Sequence, residues 1–288
     1  MNRFAAIALY LSLFFLLEGC SLHREAYWKQ TGPNKPTELS ETNFKAAQEC
    51  FTTAADAMAV DKCIAVHDLV IKENPGNYQA RANAATLYIL KGTAYTQSSS
   101  AKSEAYSRAM TYAELAMYTN PDFKAQVDAG KQPWEAADTL GKAEVEAMYY
   151  WVTALQYEFK EGMSLPSKVI NIKWLERALV FLDRIEKVDP DFGGGGVEVA
   201  KVICYLVLPE RMGGSDAKGD EYMQRAVANH NDWLLPRWAR GKYYYPVKGQ
   251  QKAADADLAW VAAQNLGNYR DPYPWRVHFQ SNAKQLLN

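Results

Sequence analysis

Three times along this chain a helical stretch runs into the same kind of stop: Glu73-Asn74-Pro75-Gly76-Asn77, Thr119-Asn120-Pro121-Asp122-Phe123 and Val188-Asp189-Pro190-Asp191-Phe192. Proline has no amide proton and disfavours helix at the residue before it, so a polar residue followed by proline ends a helix. Twelve residues before each proline stands a small side chain, Cys63, Ala109 or Ala178. Residues 61–71 carry apolar side chains at intervals of three and four before their stop, the spacing of one buried helix face. A small residue at a fixed distance from a repeated stop lets a second helix approach closely. The pattern therefore predicts helices that fold back on one another in pairs.

The partner helices are legible upstream: 78–95 precedes 103–118, and 142–159 precedes 172–187. This is the layout of tetratricopeptide-like hairpins, although the prolines lie farther apart than the ~34 residues of a regular repeat. The units must carry insertions, which we place at 97–100, 122–138 and 162–171. After Pro190 a glycine run, 193–196, leads into a helix at 197–208, and further helices are expected at 222–229, 233–245, 252–265 and 274–287. Glycines before a helix can cradle an anion. Here no strand precedes them and no Gly-Lys-Ser/Thr follows, so the run reads as a loop needing backbone freedom. No alternating strand pattern is present. The expected fold is all-α, a solenoid of degenerate hairpins over 41–288.

Composition narrows the function classes. With 288 residues, 48% of them hydrophobic and 12% aromatic, the chain can bury a large core and is not disordered in bulk. Its 32 basic and 33 acidic side chains leave a net charge of −1, without the basic surplus that nucleic-acid binding needs.

The amino-terminal end differs from the rest. Arg3 is followed by an uncharged run at 4–17, too short to span a bilayer comfortably and suited to a secretory signal. Leu17-Glu18-Gly19-Cys20 resembles the lipobox of bacterial lipoproteins, with Glu18 departing from the small or apolar residue usual there. The resemblance implies a signal peptide at 1–19, cleavage before Cys20, and acylation of Cys20 as a membrane anchor. Two or more acyl chains, at about 0.8 kcal/mol per buried CH₂, convert reversible adsorption into stable anchoring. The other reading is an ordinary cleaved signal with an incidental cysteine. Residues 20–40, with Gly32, Pro33 and Pro36, read as the lipidated cysteine and a tether. Ser21 after the cysteine, by the sorting habit of enteric lipoproteins, implies a periplasm-facing position on the outer membrane.

Of the remaining cysteines, Cys50 and Cys63 flank an expected helix-helix corner at 54–57. They could be bridged across it, or they could be small buried thiols packed without a bond. Cys204 reads as a core residue. Histidines at 23, 67, 230 and 278 are scattered, and neither CxxC nor HxxxH spacing occurs, so no metal site is expected.

Catalytic motifs are missing as well: there is no Gly-x-Ser-x-Gly, His-Glu-x-x-His or EF-hand loop. Glu144 and Glu146 are two apart, hence on different faces of a helix. The aromatic trios 149–151 and 243–245 cannot all point into one hairpin core. Tyr150, Trp151 and Tyr244 are the candidates for a ligand or partner groove, against the ordinary alternative of core packing.

Glu146-Ala147-Met148-Tyr149-Tyr150-Trp151, then Asp189-Pro190-Asp191-Phe192-Gly193-Gly194, Leu208-Pro209, Met212-Gly213-Gly214-Ser215-Asp216 and Ala283-Lys284-Gln285-Leu286-Leu287 follow in an order that resembles the T component (TatT) of TRAP transporter systems. The resemblance covers roughly 138–288. The four-glycine run and Ser215 depart from its pattern. It implies a non-enzymatic lipoprotein of tetratricopeptide-like hairpins that associates with the periplasmic solute-binding P component and assists uptake. It also implies a groove or channel for a small hydrophobic ligand, no cofactor, and self-association as a further option. The rivals are a general cell-envelope scaffold for outer-membrane or cell-wall assembly, and a periplasmic hydrolase. Cys20→Ala is expected to shift the chain from the detergent phase to the aqueous phase on Triton X-114 partition. Retention in the detergent phase would remove the lipid anchor from the reading.

Overall fold

The computed structural model describes residues 38–288. The expected signal peptide at 1–19, Cys20 and nearly all of the tether lie outside the described residues. The first helix begins at Glu38, just inside the stretch assigned to tether. Among the described residues every regular element is helical, and none is long and apolar enough to cross a membrane.

Helices α1 (Glu38–Thr53) and α2 (Ala57–Glu73) form the first pair. Asp56 between them accepts the Ala59 amide at 2.8 Å and so caps α2. Across this corner Cys50 and Cys63 are joined by a disulfide. Asn74 ends α2 ahead of Pro75, and Asn77 caps α3 (Tyr78–Leu90) through the Ala80 amide. Next come α4 (Ser99–Met117), packed along α3, and the short α5 (Pro121–Asp128). Helix α6 (Val145–Tyr157) lies on both α3 and α4. After the short α7 (Leu165–Ile170), α8 (Lys173–Val188) returns along α6. The remainder is α9 (Gly196–Val207) paired with α10 (Asp216–Asn229), the short α11 (Leu235–Ala239) and α12 (Tyr245–Val247), and α13 (Gln251–Ala262) paired with α14 (Tyr273–Leu287).

The small residues counted back from the prolines, Cys63, Ala109 and Ala178, are each 0% exposed. Pro121, however, plays the opposite role from Pro75 and Pro190. It is the first residue of α5, with Asn120 as its cap, because a missing amide proton costs nothing in a first helical turn. The stretch read as an insertion at 122–138 is thus α5 plus a 3-10 turn at Pro133–Thr139. That at 162–171 contains α7, capped by Ser164. The serines at 97–100 begin α4, whose cap is Ser98, and Ser215 likewise starts α10 earlier than the apolar pattern alone indicated.

One apolar cluster extends from α2 to α9, and a second gathers around Trp238 between α9 and α14. Helix α9 serves both, turning Val197, Ala200 and Cys204 to the first and Val199 and Val202 to the second. Its start depends on the glycine run. Gly193, Gly194 and Gly195 have φ of 79°, 53° and 87°, and a Cβ on Gly194 would stand 1.9 Å from the Trp233 ring. Burial pushes the Cys204 thiol up to about 12, so it is an inert core group.

Helix α14 lies against α1 and α3 as well as α13, so the last helix returns to the first ones. Trp275 makes the junction: its ring packs against both clusters, and its Nε1 donates to Thr86 Oγ1 at 3.0 Å. Trp275→Ala is expected to cost about 2–4 kcal/mol and to speed amide exchange in α14 and α1. Trp275→Phe should lose only about 1 kcal/mol, for the hydrogen bond. Unchanged exchange in α14 of the alanine variant would show that the return is held elsewhere.

Candidate functional site

Three helices end in one widened turn. A π turn prolongs α3 at Lys91–Tyr95, α6 at Glu158–Gly162 and α11 at Arg240–Tyr244. Such turns are rare and are frequent at functional sites. They place Thr93, Lys160 and Lys242 at the same third position of successive turns.

The helices leading into the first two turns carry matching stripes. On α3 the sequence Gln79, Asn83, Thr86 and Thr93 keeps one face, and on α6 Glu146, Tyr150, Thr153 and Lys160 repeat its spacing. The two helices meet along these faces. Gln79 Nε2 donates to Glu146 Oε2 at 2.9 Å. Tyr150 stands beside Thr86, which takes the Trp275 bond from α14, and Tyr157 stands beside both Thr93 and Tyr243. Tyr149, Tyr150 and Tyr243 lie deep among protein atoms yet are only half-buried by surface area. Rings in that setting line a concave recess rather than a convex face. Its walls are α3, α6, the third π turn and α14.

One end of the recess is cationic. Lys160 Nζ lies 3.6 Å from the centroid of the Tyr243 ring, and Lys242 Nζ lies 5.1 Å from the same centroid and 4.6 Å from that of Trp238. Neither has a carboxylate within ion-pair distance among the described residues. Lys242 is half-buried, and loss of hydration together with the charge of Lys160 pushes its ammonium down to about 8, whereas Lys160 is exposed and water still reaches its side chain. Glu161 is occupied: it accepts from Lys102 Nζ at 2.7 Å and from the Tyr106 hydroxyl at 2.7 Å. Burial, with the charges of Lys242 and Lys102, pushes His278 down to about 3, so it is neutral here. The Tyr243 hydroxyl and Thr93 Oγ1 are buried at this end beside the Tyr157 and Tyr106 hydroxyls, and His278 Nε2 is buried without a hydrogen-bond partner among the described residues.

The three aromatic candidates separate. Tyr150 lines the recess. Trp151 does not: it is 0% exposed, donates through Nε1 to Glu114 at 2.9 Å and packs against Trp174 and Phe181, because its helix position faces α4 and α8. Tyr244 turns the other way, its hydroxyl bonded to Asp220 of α10 at 2.8 Å, and the neighbouring Tyr243 takes the inner place. The widened turn decides this, since it rotates the side chains relative to an ordinary helix. Glu144 accepts from the Gly141 amide and Glu146 from Gln79, so these carboxylates work separately. What sequence reasoning passed over is the polar stripe inside α3, a helix otherwise buried throughout. Polar residues at helical spacing within an apolar run were the available signal.

Cys50, Cys63 and His67 come together, an arrangement not expected from the scattered histidines. The two sulfurs are bonded to each other, and His67 Nδ1 is 2.8 Å from the Cys63 carbonyl, to which it must donate. In this oxidised form the group has no thiolate to offer a metal.

A desolvated ammonium without an ion pair opposes folding while it is charged. The folded value of Lys242, near 8, lies below the ordinary 10.5, so the opposition is full below pH 8 and vanishes as pH rises toward 10.5. Lys242→Met is therefore expected to raise Tm at pH 7 by about 2–4 °C, with the gain fading between pH 8 and 10.5. A variant less stable at pH 7 would contradict this account of the recess.

No curated protein matches the chain. The family model of the TRAP transporter T-component matches residues 52–268, the greater part of the sequence and all of the π turns. The three turns and the helices from α2 to α13 fall within that match, with α14 beyond it, and the chain belongs to the TRAP transporter T-component family.

Proposed function

We propose that this chain is a non-catalytic, lipid-anchored accessory of a TRAP-type uptake system, facing the periplasm and associating with the system's solute-binding protein. The helix pairs act as tetratricopeptide-like units, and the recess they enclose receives a small, largely apolar ligand. The observation that carries the reading is the enclosed aromatic recess bordered by Tyr149, Tyr150, Tyr243 and Trp275 within a chain of this family. Large rings with polar tips suit reversible capture of apolar groups, since they give contact area at little entropic cost. Glu146 and Glu161 on the recess wall are already bonded to Gln79, Lys102 and Tyr106, which favours a binding role over acid-base chemistry. The lipobox-like Leu17-Glu18-Gly19-Cys20 supports a membrane position through an acylated Cys20, and the Ser21 rule favours the outer membrane.

The test is association of the detergent-solubilised full chain with a TRAP-type solute-binding protein of the same genome, measured by biolayer interferometry. Saturable binding with a Kd of about 10 µM or tighter is expected, against no saturation with a binding protein of an unrelated transporter class. Equal responses to both proteins would overturn the partnership and leave the general envelope scaffold as the better reading.

A further inference from the structure

The structure assigns Lys160 and Lys242 as an anion-binding pair, so that the recess takes an amphipathic molecule with an anionic headgroup rather than a purely apolar one. This deepens the ligand part of the reading above and rests on it.

Both lysines occupy the third position of a π turn, where the first turn has Thr93. Two of the three turns thus carry a cation where the first carries a hydroxyl. Both ammoniums stand over the Tyr243 ring, at 3.6 Å and 5.1 Å from its centroid. The ring face offers part of the lost hydration but no hydrogen-bond acceptor. Lysine carries three donors, and on these two none is met by a carboxylate among the described residues.

The contrast with Lys201 makes the point. That ammonium is 2% exposed and meets Asp183 Oδ1 at 2.6 Å as well as Glu186. Where this fold buries a lysine for structure, it supplies two carboxylates. The half-buried Lys242 receives none, and Glu161 of the neighbouring turn is held by Lys102 and Tyr106. Lys242 is costly to desolvate, and the exposed Lys160 at the same ring repels it. An anion between them would relieve both costs. His278 Nε2 nearby is buried and unpartnered, a group that such a headgroup's waters would satisfy. Farther along the stripes the walls are Tyr150, Trp275 and Tyr149, which suit an aromatic or aliphatic body. The ligand would therefore lie with its charge at the π turns and its apolar part toward Tyr150.

Two fluorescent probes that differ only in a sulfonate test this, 8-anilinonaphthalene-1-sulfonate and the uncharged N-phenyl-1-naphthylamine. Titrated into the full chain, the sulfonate is expected to bind at least about tenfold tighter than its neutral analogue. Lys160→Met with Lys242→Met should lose that preference by weakening the sulfonate alone, while the double arginine variant keeps it. Equal affinity for the two probes in the wild type, or a preference that survives in the double methionine variant, would overturn the assignment. Melting curves at pH 7 accompany each variant, since the methionine forms are expected to be no less stable. Loss of anion preference with the solute-binding protein still captured would overturn this inference alone. The reverse result would overturn the partnership alone.

Discussion

The contact on which the arrangement of the recess depends is the return of α14 onto the first helices. Helix pairs that stack only on their neighbours give an open array with two ends and no interior. Here Trp275 packs against both apolar clusters and donates to Thr86 in α3, so the array is clasped. The stripes of α3 and α6 would otherwise face water, and their polar residues would be unremarkable. Once α14 covers them, each polar group must find a partner or a ligand, and the spacing of the stripes becomes a constraint on what enters.

The clasp also explains why the π turns matter. An ordinary α-helix turn repeats its face every three to four residues, and continuing α11 in that geometry would aim its tyrosines by the simple periodic rule. The extra residue in each widened turn shifts the register at the recess end. Tyr243 goes inward and Tyr244 outward to Asp220, while Lys160 and Lys242 reach the same ring. Gly92 and Gly241 allow the close approach: a Cβ there would stand 2.4 Å from the Tyr106 ring and 2.9 Å from Leu258, respectively.

Pairing was readable from the sequence because it rests on local chemistry. Proline stops, Asx caps and small residues at a fixed distance act within a few turns, and Cys63, Ala109 and Ala178 are as buried as that rule requires. The family was readable too, and its match runs farther toward the amino terminus than the ordered motifs did. The site was less legible. Proline opens a helix as readily as it closes one, so Pro121 misled where Pro75 did not. Which member of an aromatic trio faces inward depends on a π turn, set by distant packing rather than by composition. Trp151 was assigned to the groove on size and helix position, yet its face is fixed by α4 and α8, which lie far from it in sequence.

Lysine shows how the same residue type divides between stability and binding. Lys201, held by two carboxylates, has its ammonium pushed up from the usual lysine range despite burial, so its charge is locked across all ordinary pH. Lys242, half-buried between ring faces, is pushed down to about 8, within reach of ordinary solution conditions, while Lys160 beside it is exposed. A fold selected for stability alone would replace Lys242 with methionine, which keeps the stem and drops the desolvated charge. The unpaired charge of Lys242 is a cost that something outside the folding free energy of the isolated chain can offset. A bound anion supplies that offset, and it acts only on the state in which the recess is formed, so occupancy and closure of α14 over the stripes would favour one another.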